Sequence, residues 1–192
     1  MTSGARLPKL APAALDDEQR ALYDAITGGR RAQGPQLFGL ADPQGRLAGP
    51  FNAFLLQPRL GSALQALGSC IRYDTGLGDR CREIAILVVA AHWRSDFEWY
   101  AHEAVARSVG LTDAELAAVR DGSHAALAGS EALVARTVAA LLTRGDLEDT
   151  EYREAVEHFG PAGLFELLTL VGYYATLALQ LRVFRVPAPD SP

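Results

Sequence analysis

Three ionisable side chains fall where a largely apolar stretch has little use for charge: Glu83, Glu98 and His102. Glu83 opens the run EIAILVVAAH, and Glu98 and His102 follow a polar break at Trp93-Arg94-Ser95-Asp96. An unpaired charge buried among Ile, Leu, Val and Ala is costly, so such groups pair with one another or do chemistry. Two carboxyls and an imidazole are the groups of general acid/base catalysis. Each also has a plainer use. Ser95-Asp96-Phe97-Glu98 fits a capping box, in which Glu98 reaches back to the backbone N–H of residue 95. Glu83 lies in the first turn of its helix, where the dipole favours any carboxylate. A single His on an apolar face also serves as a hydrogen-bonded core residue.

The elements that must hold these groups read as helices. At about 100° per residue, Glu98, His102, Val105 and Val109 share one side, while Tyr100, Glu103 and Arg107 share the other. Glu98 and His102 therefore do not sit on the solvated face. By the same count Glu83 aligns with Ile86, Leu87 and Ala90 on a segment apolar nearly all round, which predicts burial. Antiparallel packing of the two helices would bring the polar groups into one pocket.

The stretch REIAILVVAAHWRSDFEWYAHEAVARSVGL, with its Glu-Trp-x-x-His spacing over Glu98, Trp99 and His102, resembles the core motif of the carboxymuconolactone decarboxylase family. The likeness extends upstream through GPFNAFLLQPRLGSALQALGSCIRYDTGLGDR and downstream through FELLTLVGYYATLALQLRVFRVP, roughly Leu10 to Pro189. The same superfamily holds alkylhydroperoxidase-D-like proteins, which use a Glu, a Cys-x-x-Cys pair and a His. On that pattern Glu83 and His102 take the Glu and His positions, while Ser95 and Glu98 stand where the cysteines would be. Peroxide reduction of that kind needs a thiolate attacker and a resolving thiol. With no sulfur in the motif, Glu98 leaves an acid/base site instead.

The rest of the chain fits one helical domain. Its 192 residues, about half of them apolar, can bury a sizeable core. The net charge of −5 is spread out with no basic stripe, which argues against nucleic-acid binding. MTSGARLPKLAPAAL has no apolar core of a signal peptide and reads as an extended arm over 1–15, ahead of an all-α domain over 16–189. A cytoplasmic location is expected, where thiols stay reduced. Cys70 and Cys81, the only cysteines, have no metal or redox spacing and read as packing residues.

Punctuation along the chain is regular. Asp16 caps a helix that stops at Gly28-Gly29, and Asp42-Pro43-Gln44-Gly45 predicts a turn within a long Gly/Pro/Gln-rich loop over 28–50. Pro58 to Tyr73 reads as a helix with Leu60, Leu64, Leu67 and Ile71 at core spacing. Thr112-Asp113-Ala114-Glu115 is a second capping box, Ser130 to Thr143 stops at Gly145, and a further helix ends at Gly160-Pro161. Residues 167–181 carry no charge, yet the stretch is short for a membrane span, so no membrane partner is expected. Apolar character all round predicts burial against both its own core and a second subunit.

The resemblance implies an oligomer, a trimer or hexamer, and a reaction with no cofactor and no metal on a small carboxylated lactone or related acid. His102 is then the proton donor or shuttle, Glu83 orients it, and Glu98 is a second acid or base, with the glutamate roles exchangeable. Another proton transfer on the same site, peroxide reduction through Cys70 or Cys81, and an oligomer that binds a ligand without turnover are the alternatives. The family places the segment near Asn52 at the ligand pocket, so Asn52 could bond a substrate carbonyl and Phe54 wall the site, although both could equally be local structure. Trp99 is a further candidate to line it, and Tyr173 and Tyr174 could each put a hydroxyl into it, although a core tyrosine with one satisfied O–H is the plainer reading. A substrate carboxylate wants a cation, and Arg80, Arg82 and Arg94 are near. Arg82 projects about 100° away from Glu83, which favours Arg80. His92 could join a metal-ligand set, or meet its helix C-terminus as a cation, the preferred reading.

Overall fold

In a computed structural model, which describes residues 4–33 and 37–189, every regular element is helical. The helices run α1 (Asp17–Thr27), α2 (Gly49–Phe54), α3 (Pro58–Tyr73), α4 (Asp79–Trp93), α5 (Asp96–Ser108), α6 (Asp113–Arg120), α7 (Gly129–Arg144) and α8 (Asp149–Phe184). Short 3-10 turns lie at Pro12–Ala14 and Arg30–Ala32. Among the described residues the extended pairing is a lone bridge between Ala41 and Leu47. Contacts group the chain into two compact units. One comprises the chain up to Asp74 together with the stretch from Leu179 onward, and the other is Thr75–Ala178.

The first unit contains α1 to α3 and residues 4–15 of the expected arm, which is not extended throughout but takes a 3-10 turn at Pro12–Ala14. Asp16 caps α1 reciprocally: its carboxylate accepts from Gln19 N–H at 2.8 Å, and the Gln19 side chain accepts from Asp16 N–H at 3.1 Å. Of the 28–50 loop, positions 34–36 lie outside the described residues. The expected turn forms around Asp42, whose carboxylate accepts from the Gln44 and Arg46 backbone N–H groups and from Arg46 Nε.

Helix α3 corrects the sequence reading. Leu60 and Leu67 are exposed, Leu64 is half-buried, and the buried face is Gly61, Gly68 and Ile71. Leucine spacing marked an apolar stripe, but close packing selected the glycines. A Cβ on Gly61 would stand 2.4 Å from the Phe54 carbonyl oxygen and 2.8 Å from a Leu22 methyl. Only a side chain of zero size lets α3 approach α1 and α2 this closely.

In the second unit α4 packs against α5, α6 and α7. Residues Glu83 to Ala90 of α4 are buried without interruption, as expected of a helix apolar all round. It ends where Arg94 takes a left-handed conformation (φ 50°) and Ser95 N–H bonds back to Ala90 at 2.9 Å. The Thr112–Glu115 capping box starts α6, and Gly145 (φ 72°) closes α7. Helix α8 is broken at Gly160 (φ 69°), immediately before Pro161, which restarts it. Leu164, Leu167, Leu170, Tyr173, Tyr174 and Leu177 are buried, while Phe165 and Leu168 are exposed. By length and composition alone α8 could cross a membrane, yet nearly half of its most apolar window is buried within the protein.

Gly61→Ala should lower stability by about 1–3 kcal/mol, because the new methyl meets backbone that cannot move aside. Denaturant midpoints of the two proteins check this; an unchanged midpoint would show that α3 has room to shift.

Candidate active site

The polar groups singled out in the sequence converge in the second unit, at the α4–α5 contact. Glu83 is 1% exposed, His102 7% and Glu98 3%, too little for any of them to be solvated surface residues. His102 Nδ1 lies 2.8 Å from Glu83 Oε2, a buried hydrogen bond linking the first turns of α4 to the middle of α5. Pairing Nδ1 in this way leaves Nε2 to exchange a proton. The ring of Tyr174, from α8, packs edge-on against the imidazole with centroids 5.1 Å apart, and Tyr173 packs edge-on against Tyr174 at 5.2 Å. Tyr174 thus joins the ring of His102 to that of Tyr173.

Glu98 lies one turn before His102 on the same buried face of α5. The capping-box alternative does not form. Ser95 occupies the N-cap position, yet its side chain makes no cap hydrogen bond. The Ser95 hydroxyl and both Glu98 carboxyl oxygens are buried without hydrogen-bond partners among the described residues. Burial pushes the Glu98 carboxyl up to about 8, while the nearby Ser95 hydroxyl pulls the other way without reaching hydrogen-bond geometry. Glu98 is therefore a neutral acid at pH 7, a state in which a carboxyl can donate a proton.

Arg82 reverses an expectation. A 100° step along α4 was read as turning it from Glu83, but its Nε lies 3.6 Å from Glu83 Oε1 and its side chain is 11% exposed. The long aliphatic stem folds back along the helix, so the helical wheel gives the direction of Cβ and not of the guanidinium. Its Nη2 bonds the exposed Asp79 carboxylate at 2.7 Å.

The cation favoured for a substrate carboxylate, Arg80, is engaged elsewhere. Its guanidinium donates to Glu131 and Glu115 at 2.6 Å each and to the Gly110 carbonyl, and these acids hold its proton more tightly than usual. Trp99 is likewise committed: its indole N–H donates to Glu103 at 2.9 Å, and Arg120 lies over its ring. Arg94 is exposed at the end of α4. His92 is exposed in the last turn of α4, and no cluster of metal-ligating side chains occurs among the described residues.

Asn52 and Phe54 belong to the first unit. Asn52 accepts from Leu10 N–H at 3.0 Å and donates to the Pro8 carbonyl at 3.2 Å, so its amide pins the arm. Phe54 packs edge-on against Phe51 at 5.9 Å. Neither cysteine is a core residue: Cys70 is exposed, and Cys81 is half-buried with its thiol pushed up chiefly by burial.

The model of the carboxymuconolactone decarboxylase family matches residues 58–141, which include Glu83, Ser95, Glu98 and His102. The chain is similar to this family over that segment, which is less than half of its length. The chain is also similar to the crystal structure of an alkylhydroperoxidase AhpD core protein from Ralstonia eutropha JMP134, described as an uncharacterized peroxidase-related protein. The TM-score is 0.77 at 14% identity, over 99% of this chain and 95% of that one. At that identity the likeness establishes the fold, an alkylhydroperoxidase-D-like helical one. No curated protein matches.

The elevated Glu98 carboxyl makes stability depend on pH. From its ordinary value of 4.5 up to about 8, the unfolded chain has released this proton and the folded protein keeps it. The stabilising contribution is complete below 4.5 and is lost as pH rises through about 8. Glu98→Gln should remove this loss, which amounts to as much as ~1.4 kcal/mol per pH unit across the window. Denaturant melts of both proteins at pH 5 to 9 check it: parallel pH dependences would mean that Glu98 is already ionised in the fold.

Proposed function

We propose that the chain is a cofactor-independent acid/base enzyme that decarboxylates a small carboxylated lactone or a related organic acid. The observation carrying this reading is a buried imidazole, oriented by one glutamate and preceded on the same helix face by a second glutamate that keeps its proton. Such a site can take up and deliver a proton without a thiol.

The chemistry runs through these side chains. The bond from carbon to the departing carboxylate breaks, CO₂ leaves, and the electron pair moves through the unsaturated lactone onto its carbonyl oxygen. Carbon then needs a proton. Neutral Glu98, on the preceding turn, passes its proton to the open Nε2 of His102, which delivers it to carbon, while Glu83 holds Nδ1 and fixes the ring. Glu98 recovers its proton from solvent, so one proton is consumed for each CO₂ released. Isomerisation or dehydration of a related acid would use the same relay and differ only in the bond that breaks.

Peroxide reduction is the second reading, favoured by the description of the Ralstonia protein as peroxidase-related. Here it would have to use Cys70 or Cys81. The half-buried Cys81 thiol is biased towards its protonated, unreactive form, and nothing in the motif supplies a second sulfur. The acid/base reading also takes the chain as a homo-oligomer, with exposed Phe165 and Leu168 as apolar surface that a second copy would cover.

Carbon dioxide release from carboxymuconolactone, with no added metal or thiol, tests the reaction. His102→Ala should reduce it at least about 100-fold. No release from a folded wild type would discard this substrate and move the search to other acids. In a separate assay, the double variant Cys70→Ser, Cys81→Ser should keep full decarboxylase activity. Thiol-dependent peroxide turnover that disappears in that double variant would instead favour the peroxidase reading.

A further inference from the structure

Glu83 poses a charge-balance problem that its hydrogen bond to His102 does not by itself solve. A carboxylate 1% exposed needs one compensating positive charge close by. Two are within reach: His102 at 2.8 Å, charged only if it holds a second proton, and Arg82 at 3.6 Å, charged at every accessible pH. With both charged, the buried cluster would carry a net +1. With Arg82 alone charged it is neutral, the state that burial favours. Arg82 also has the position for this role, with a side chain 11% exposed and a buried Nε that lies on the Glu83 side and has no hydrogen-bond partner among the described residues.

We propose that Arg82 is the positioning residue of the site: it balances Glu83, so that Glu83 stays an anion accepting Nδ1–H and His102 stays neutral, with Nε2 open to receive a proton. This deepens the acid/base reading above, since a relay from Glu98 to His102 requires an empty Nε2. The other charged and titratable groups around the pair do not supply the balance. Asp79, on the far side of Arg82, is 68% exposed and screened by solvent. Glu98, one turn away on α5, is neutral at pH 7. Glu115 of α6 and Glu131 of α7 are spent on Arg80, and Tyr174 from α8 meets the imidazole with the edge-to-face contact of its ring.

Removing the guanidinium should therefore change the proton count of the pair. In Arg82→Gln the neutral state of the cluster requires one more proton, shared between His102 and Glu83. Arg82→Lys keeps the charge. Asp79→Asn removes only the exposed partner of Arg82.

Nitrogen NMR of protein labelled at the histidine ring nitrogens reads this directly, with His102 assigned from the signals missing in His102→Gln. No substrate is involved, so the result is independent of whether carboxymuconolactone is turned over. The wild type should show the Nδ1–H form of His102 at pH 7. Arg82→Gln should move the titration of this ring upward by about one pH unit or more, a tenfold gain in proton affinity. Arg82→Lys and Asp79→Asn should stay with the wild type. A ring that titrates alike in the wild type and a folded Arg82→Gln would overturn the proposal, as would a protonated ring at pH 7 in the wild type. If Arg82→Gln does not fold, the wild-type spectrum and Asp79→Asn still decide. An Asp79→Asn shift as large as one pH unit would assign the balance to the exposed pair instead.

Discussion

The hydrogen bond between Glu83 and His102 is the constraint on which the second unit depends. It joins a carboxylate buried in the first turns of α4 to an imidazole on the inner face of α5, at 2.8 Å. Neither group can be moved into the interior alone, because an unpaired buried carboxylate costs several kcal/mol (roughly 3–5 when one partner of a buried pair is deleted). The sharp reversal at Arg94 and Ser95 brings the two helices back alongside each other, and the apolar length of α4 holds them there against α6 and α7. The pair thus fixes the register of α4 on α5 as much as it prepares a site.

Around that pair the site separates its titratable groups by environment. Glu83 has a hydrogen-bond donor and a guanidinium beside it, whereas Glu98 has neither and keeps its proton. Two carboxyls on adjacent helices therefore sit in opposite surroundings. Acid and base roles divide in this way wherever one acid is given partners and another is given only apolar surroundings. Ser95 and Glu98 both bring oxygen and no sulfur to this buried face.

Stability elsewhere comes from more ordinary devices that act close to where the sequence displays them. Reciprocal caps at Asp16 and Thr112 satisfy orphan N–H groups at the starts of α1 and α6. Left-handed residues at Arg94, Gly145 and Gly160 end or break their helices. The Arg80 guanidinium draws α6 and α7 to the start of α4 through Glu115 and Glu131, a partly buried network that explains why this arginine does not face a ligand.

Local features were legible in the amino-acid sequence because they depend on neighbours within a turn or two. The helix starts and stops, the burial of α4, the shared face of Glu98 and His102, and the lack of sulfur in the motif all belong to this class. Tertiary structure decided whatever depends on atoms distant in sequence or at the end of a flexible side chain. Leucine spacing along α3 could not reveal that Gly61 and Gly68 form its buried face, since that follows from how closely Phe54 and Leu22 approach. The capping box at Ser95 was a valid pattern left unformed once both of its side chains were buried. A wheel of Cβ directions turned Arg82 away from Glu83, and four further bonds of side chain brought its guanidinium back. Of the two tyrosines that the sequence offered, the ring of Tyr174 packs on His102, because the rotation of α8 about its axis is set by tertiary packing and not by periodicity within the helix.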